Sequence, residues 1–203
     1  MPLTPYSVHD LAEAVLGCVC AALDAAKEEG VDGALGCPCR ACVIPGAVAW
    51  DGCDALEGCG GVLGGAPGQL TVSVARVYPA GDRFPAMDTT VQGVRGCVPP
   101  QLTAAELVIT LLRCAPVMDE EGCPPSCEEL TEAARAVHVD AATVYSALWC
   151  CLPGIGPNPR RPRRFVMGAQ TIVGPQGGCV GLEQRVTVAL PGCGRCPGED
   201  GTS

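Results

Sequence analysis

The chain has 203 residues and a mass of 20.6 kDa, which suffices for one domain with appendages and excludes two large ones. Hydrophobic residues make up 48% and charged residues 17%, so the chain can bury a core and is not charged enough to be disordered. The net charge of −9 disfavours coating nucleic acid or binding a membrane with the whole molecule. We expect a single α+β domain over 1–190 and a cysteine-bearing tail over 191–203.

Sixteen cysteines are a high number for a chain of this length. The first six residues carry no basic side chain, and Glu13 and Asp24 interrupt the apolar run 11–26. We therefore predict neither a signal peptide nor a membrane span, and we expect synthesis in a reducing cytoplasm. Three roles stay open for the thiols: core packing, metal binding, and oxidation after release from the cell.

The first elements in chain order are a helix and an irregular insertion. Apolar residues recur at helical spacing over 7–28, Ser7 is a suitable N-cap, and Gly30 ends the pattern. The insertion, 31–68, is rich in Gly and Cys. Within it, 43–50 resembles a strand, although a proline and a glycine interrupt it.

Two strands and a second helix follow. Apolar residues alternate over 69–78, which predicts a half-buried strand, and 104–116 is apolar on both faces, which predicts a central strand. Ser126 and Glu129 form a capping box that begins a long helix. Asp140 lies within this helix and is a possible second N-cap that interrupts it.

The last two strands are predicted to form a hairpin. They cover 165–173 and 180–190, and the segment GPQGG between them is a strong turn signal. The element order predicts an α+β fold: a mostly antiparallel sheet of four to five strands with two helices packed on one face, plus the Gly/Cys-rich insertion.

The densest cysteine cluster is a candidate zinc site. Four thiolates at short spacing can hold a tetrahedral zinc ion. The segment CPCRAC lacks a second C-x-x-C at the usual distance, so disulfides and core thiols are favoured over zinc, and no cofactor is predicted. The cluster consists of Cys37, Cys39, Cys42 and Cys53.

The other cysteines are interpreted as structural. Cys18 and Cys20 are two residues apart on the first helix and so point to different faces, which prevents a bond between them. Four more, at helix or strand ends, are interpreted as packing residues rather than nucleophiles: Cys114, Cys150, Cys151 and Cys179.

We predict no catalytic residue and no enzymatic activity. The two histidines, His9 and His138, lie on predicted helices without a neighbouring nucleophile signature, and no G-x-S-x-G, P-loop or H-E-x-x-H pattern occurs. A cysteine-dependent enzyme would require a reactive thiol near one of these histidines.

A basic run stands out in this acidic chain. The segment PNPRRPRRF is either a solvated loop or an arm that meets an acidic partner surface or DNA phosphates. Its candidate partner-binding residues are Arg160, Arg161, Arg163 and Arg164.

Several segments in a fixed order cover most of 7–190: SVHDLAEAVLGCVCAAL, CPCRACVIPGAVAWDGCD, GQLTVSVARVYP with RFPAMDTT, ELVITLLRCAPV with PPSCEELTEAARAVHVDAATVYSALWCC, and GPQGGCVG. In this order and spacing the chain resembles the tail-terminator and head-to-tail connector (neck) proteins of long-tailed bacteriophages of actinobacteria. The insertion over 31–68 and the tail depart from the simplest members.

The resemblance implies a structural virion protein assembled in the host cytoplasm. Six α/β subunits with a mixed sheet and flanking helices would form a ring that caps the tail tube and joins it to the head. The implied partners are further copies of the chain, the tail tube protein, a head-side neck or stopper protein, and DNA passing through the lumen. Alternatives are another neck protein, such as a stopper or adaptor, and a small cysteine-rich zinc-binding module. No membrane partner is expected.

Overall fold

The structure, a computed structural model, describes residues 6–51, 53, 66–88, 102–118, 121–155 and 164–191. The predicted order of helices and strands is confirmed. The elements are α1 (Tyr6–Glu28), β1 (Pro38–Ile44), β2 (Ala66–Ala80), β3 (Leu102–Cys114), α2 (Cys127–Cys151), β4 (Phe165–Gln176) and β5 (Cys179–Pro191). Most of the predicted tail, 192–203, lies outside the described residues.

The five strands form one mixed sheet in the order β1-β2-β3-β5-β4. β2 with β3, β3 with β5, and β4 with β5 pair in antiparallel fashion, whereas β1 lies parallel to β2. The sheet is therefore mostly antiparallel, as predicted, and it is mixed because β1 is parallel to its neighbour. A parallel pair requires a crossover connection rather than a tight hairpin, and the 21-residue stretch from 45 to 65 between the two strands is long enough to provide one.

The first strand begins earlier than predicted. β1 includes most of the CPCRAC segment and ends at Ile44, where Pro45 and Gly46 follow. Proline cannot donate a main-chain hydrogen bond to a neighbouring strand, so the strand stops before it. The expected strand 43–50 was wrong because it continued past this proline.

Both helices pack on one face of the sheet, as predicted. The core between the two layers consists of aliphatic side chains that the helices and the strands bury completely. This burial supplies the main stabilisation of the fold. Its largest members include Leu11, Leu23, Leu70, Leu107, Ile109, Leu111, Leu148, Leu152 and Leu182.

The β4–β5 hairpin forms at the predicted turn. Two glycines, Gly177 and Gly178, connect the strands with φ angles of +52° and +66°. A two-residue hairpin turn of this kind requires positive φ at both positions, which glycine adopts without steric cost.

The capping box of α2 is confirmed, but its predicted interruption is not. The Ser126 side chain accepts a hydrogen bond from the Glu129 main-chain N–H at 3.2 Å, and the Glu129 carboxylate accepts one from the Ser126 N–H at 2.8 Å. The helix then continues through Asp140 to Cys151. Asp140 is not an N-cap because its carboxylate accepts hydrogen bonds from the Arg113 guanidinium at 2.7 and 3.0 Å.

Candidate assembly surface

The edge strand β4 carries no charged side chain over its 12 residues. Among the described residues it pairs with β5 and with no other strand, so its second edge is open. Proteins usually protect such edges with lysines, prolines or short strands. Here the single proline, Pro175, lies next to the turn, and Ile172 in mid-strand is 54% exposed. The edge is therefore suited to pairing with another strand.

An aromatic cluster lies beside the beginning of β4. The Trp149 ring of α2 lies 5.1 Å from the Phe165 ring and 6.3 Å from the Tyr145 ring, both in edge-to-face geometry. Trp149 is 50% exposed, although the chain has just seven aromatic residues. Aromatic side chains contribute large contact areas at protein interfaces, so leaving the Trp149 ring exposed to water is energetically unfavourable.

An apolar cleft of about 230 Å³ lies between the first half of α2 and the other end of β4. Leu130, Val137 and Ile172 line it, with His138 among its lining residues. Gln170 of β4 lies between the two ends of the strand, and its side chain donates to the Ala141 carbonyl of α2 at 3.0 Å.

We call this face the α2–β4 surface. It combines the open strand edge with exposed or half-buried apolar side chains from two elements. Its defining residues are Leu130, Tyr145, Trp149, Phe165 and Ile172.

The opposite edge of the sheet is β1. Its one charged residue, Arg40, pairs with Asp51 at 3.0 Å. Because β1 is parallel to β2 and every following pair is antiparallel, β1 and β4 run in opposite directions. The two open edges of the described sheet therefore have complementary strand directions.

The sheet face away from the helices carries a polar network across three strands. Glu106 of β3 pairs with Arg76 of β2 and, at 3.1 Å, with Arg185 of β5. Burial opposes the charged form of Glu106. The hydrogen bonds and charges of the two arginines outweigh it and hold the pKa of Glu106 below its ordinary value. Arg185 also pairs with Glu183 at 2.8 Å, so two carboxylates balance two guanidiniums, and we interpret this network as cross-strand stabilisation.

The described end of the basic arm is held against the sheet. Arg164 precedes β4, and its carbonyl oxygen accepts a hydrogen bond from the Ala189 N–H at 2.8 Å. Its guanidinium lies 5.2 Å from the centre of the Phe84 ring, within the range of a cation–π interaction. The other three arm residues lie outside the described residues: Arg160, Arg161 and Arg163.

The candidate zinc cluster is divided between disulfides. Cys37 is bonded to Cys20, Cys53 is bonded to Cys114, and Cys39 is also in a disulfide, whereas Cys42 is a half-buried free thiol. Within the described ranges, no three His, Cys, Asp or Glu side chains are placed to hold a metal ion. The structure thus places three of these four residues in cross-links rather than in one ligand set.

The remaining disulfide, Cys18–Cys151, joins the two helices. Cys18 and Cys20 bond to different partners, as their different directions on α1 predicted. The interpretation of Cys114 and Cys151 as packing residues was wrong. Both sit at element ends, where a partner distant in sequence approaches them, and no local spacing signals that approach.

The two histidines lie on helix surfaces. His9 contacts the Glu13 carboxylate at 3.2 Å, one turn along α1, and His138 is exposed on α2. Sequence reasoning missed the α2–β4 surface, because its members come from two separate elements. The uncharged composition of β4 was the one available signal.

No protein-family model matches the chain, and a search of curated proteins finds no significant match. No helix in the described part of the chain is both long and apolar enough to cross a membrane.

Proposed function

We propose that the protein is a tail terminator of a long-tailed bacteriophage, a structural subunit of a six-membered ring that caps the tail tube and joins it to the neck. The resemblance of the segments over 7–190 motivates the proposal. The single observation that carries it is the α2–β4 surface, where exposed apolar side chains lie beside an open strand edge without charged residues.

The strand directions support a head-to-tail arrangement of subunits. When subunits repeat head to tail around an axis roughly parallel to the strands, β4 of one subunit meets β1 of the next, and the two strands are antiparallel. Such heterologous contacts close into a ring when the rotation between subunits divides the circle. The number six comes from the family resemblance.

The charge distribution is compatible with this arrangement. A net charge of −9 makes identical subunits repel each other, so self-association needs a contact face without negative charge. β4 has no charged residue, and the charge on β1 is the positive Arg40. The positive charge of the basic arm, 160–164, suits it to the acidic surface of the tail tube protein, a head-side neck protein, or DNA in the lumen.

The surface is tested by replacing Ile172 with Lys. The matched control is Met87→Lys, because Met87 is 51% exposed and Ile172 is 54% exposed, and Met87 is bridged to Ala80 and is not one of the residues that define the α2–β4 surface. We expect light scattering to show that I172K lowers the assembled fraction at least tenfold, whereas M87K assembles like the wild type. Equal assembly of both variants would rule out this surface as the subunit contact.

A second neck position requires a separate binding experiment. A stopper or adaptor that joins the neck as a ring would share the dependence on Ile172, but it would bind the portal-side complex instead of tail tubes. Binding of the purified full chain to isolated tails, compared with binding to filled heads, distinguishes these positions.

A further inference from the structure

Three cysteines lie in one groove between the helices. Cys18 of α1 is bonded to Cys151, the last residue of α2, with 6.5 Å between their Cα atoms. Cys150, the preceding residue, is an exposed free thiol and lines the same groove, which has a volume of about 620 Å³. Its other lining residues are small, including Ala21, Ala22 and Ala142.

The sulfur of Cys18 faces the helical turn that holds both candidate partners. It lies 3.6 Å from the carbonyl oxygen of Ala147. In an α-helix this carbonyl points along the axis toward the N–H four residues on, which here belongs to Cys151. Cys150 and Cys151 therefore both belong to the turn against which the Cys18 sulfur rests.

The bond to Cys151 spans a long separation. Disulfides usually join Cα atoms about 4.4–6.8 Å apart. The other two described disulfides have separations of 4.9 and 5.1 Å, whereas Cys18–Cys151 is near the upper end. The neighbouring Cα of Cys150 is about 3.8 Å from that of Cys151. The separation of the Cys18 and Cys150 Cα atoms therefore differs from 6.5 Å by at most about 3.8 Å.

We propose that Cys150 is an alternative partner for Cys18, and that thiol–disulfide exchange moves the helix–helix bond between Cys151 and Cys150. The thiolate of Cys150 attacks the Cys18 sulfur, the Cys18–Cys150 bond forms, and the Cys18–Cys151 bond breaks. Cys151 leaves as a thiolate and takes up the proton that Cys150 released. One disulfide and one thiol are present before and after, so the step needs no oxidant.

The exchange preserves the link between α1 and α2 while it changes which thiol is exposed. It keeps one thiol at the end of α2 in both isomers. This proposal does not depend on the function proposed above, since it rests on the groove and the three sulfur atoms.

The decisive variant is Cys151→Ser in the full chain, purified in air like the wild type. We expect Cys18 to bond to Cys150, so that alkylation of the denatured, unreduced protein finds one free thiol fewer than in the wild type. Mapping of the unreduced peptides should identify the Cys18–Cys150 link. Cys127→Ser is the matched control, because Cys127 is an exposed free thiol at the other end of α2 and its loss should leave the Cys18–Cys151 bond intact.

A higher free-thiol count in Cys151→Ser than in the wild type overturns the proposal. If Cys150 cannot reach Cys18, Cys151→Ser leaves both as thiols, and alkylation finds one thiol more than in the wild type. The wild type provides an independent check that needs no variant. After incubation at about pH 8, where more thiolate is available, and quenching with acid, fragment spectra should show both isomers. Detection of the Cys18–Cys151 isomer alone would overturn the exchange.

Discussion

The buried ion pair between Arg113 and Asp140 offers a quantitative test of how α2 is fixed to the sheet. The two side chains are 3% and 2% exposed, and Arg113 also donates to the Gly36 carbonyl at 2.7 Å. Removing one member of such a pair leaves an uncompensated buried charge, which costs about 3–5 kcal/mol. For a chain of this size, that loss lowers the melting temperature by roughly 6–20 °C.

We predict that Asp140→Leu loses about 3–5 kcal/mol, because the charged Arg113 keeps just the Gly36 carbonyl as an acceptor. The double variant with Arg113→Met and Asp140→Leu should recover to within about 2 kcal/mol of the wild type, since no buried charge remains. Urea unfolding followed by circular dichroism, at fixed protein concentration, measures all three proteins.

The single variant Arg113→Met should behave differently with pH. Burial raises the pKa of Asp140 above its ordinary value, against the lowering effect of Arg113. Without Arg113 the carboxyl can take up a proton, so its penalty is fully present above its raised pKa and disappears as the pH falls toward the ordinary range of an aspartate. Loss of less than about 1 kcal/mol in Asp140→Leu, or the same pH dependence in both single variants, would refute this account.

Three further predictions concern charges and disulfides. Glu106→Gln should flatten the acid side of the stability profile. Because the pKa of Glu106 is lowered, its charge stabilises the fold above the ordinary glutamate range, and this stability is lost as the pH falls through the folded-state pKa. If the unfolding free energy from urea titrations falls equally steeply with acid in Glu106→Gln and in the wild type, the prediction is contradicted. Replacing Cys20 and Cys37 by Ala should cost about 3 kcal/mol, because their bond closes a loop with a sequence separation of 17, and an unchanged unfolding midpoint would oppose this. Thiol counting on denatured protein from virions should find clearly fewer than the sixteen cysteines free, whereas sixteen thiols with stoichiometric zinc would favour the metal interpretation.

The basic arm gives one more prediction. Reversing the charge of its four residues to Glu should leave the core unchanged and weaken docking to isolated tails in a salt-dependent way. A triple variant that keeps Arg164 is the matched control for the loss of its contact with Phe84. Normal docking of the quadruple variant at low salt would exclude a role for the arm. The altered residues are Arg160, Arg161, Arg163 and Arg164.

Local patterns predicted the helices and the four long strands well. The capping box at Ser126, the alternation in β2 and the glycine turn before β5 each depend on neighbours in sequence, so short segments contain the necessary information. The parallel pairing of β1 could not be read in this way, because it depends on a crossover between segments far apart in the chain.

The pairing of the cysteines and the buried ion pair were missed for a related reason. Asp140 has the residue type of an N-cap, and nothing near it in sequence signals that Arg113, 27 residues away, takes its carboxylate. Cys18 and Cys151 are separated by 133 residues, so spacing rules cannot pair them. Sequence patterns did predict that Cys18 and Cys20 need different partners, because that conclusion depends on helix geometry alone.

The most direct test of the proposed ring is native mass spectrometry of the purified full chain at several concentrations. Six copies of the 20.6 kDa subunit give 123.6 kDa, and we predict a closed species of this mass with no larger open series. Ile172→Lys should shift the population to 20.6 kDa. A wild-type protein that stays at 20.6 kDa at every concentration, and that images of the virion neck show as separate single copies, would contradict the ring.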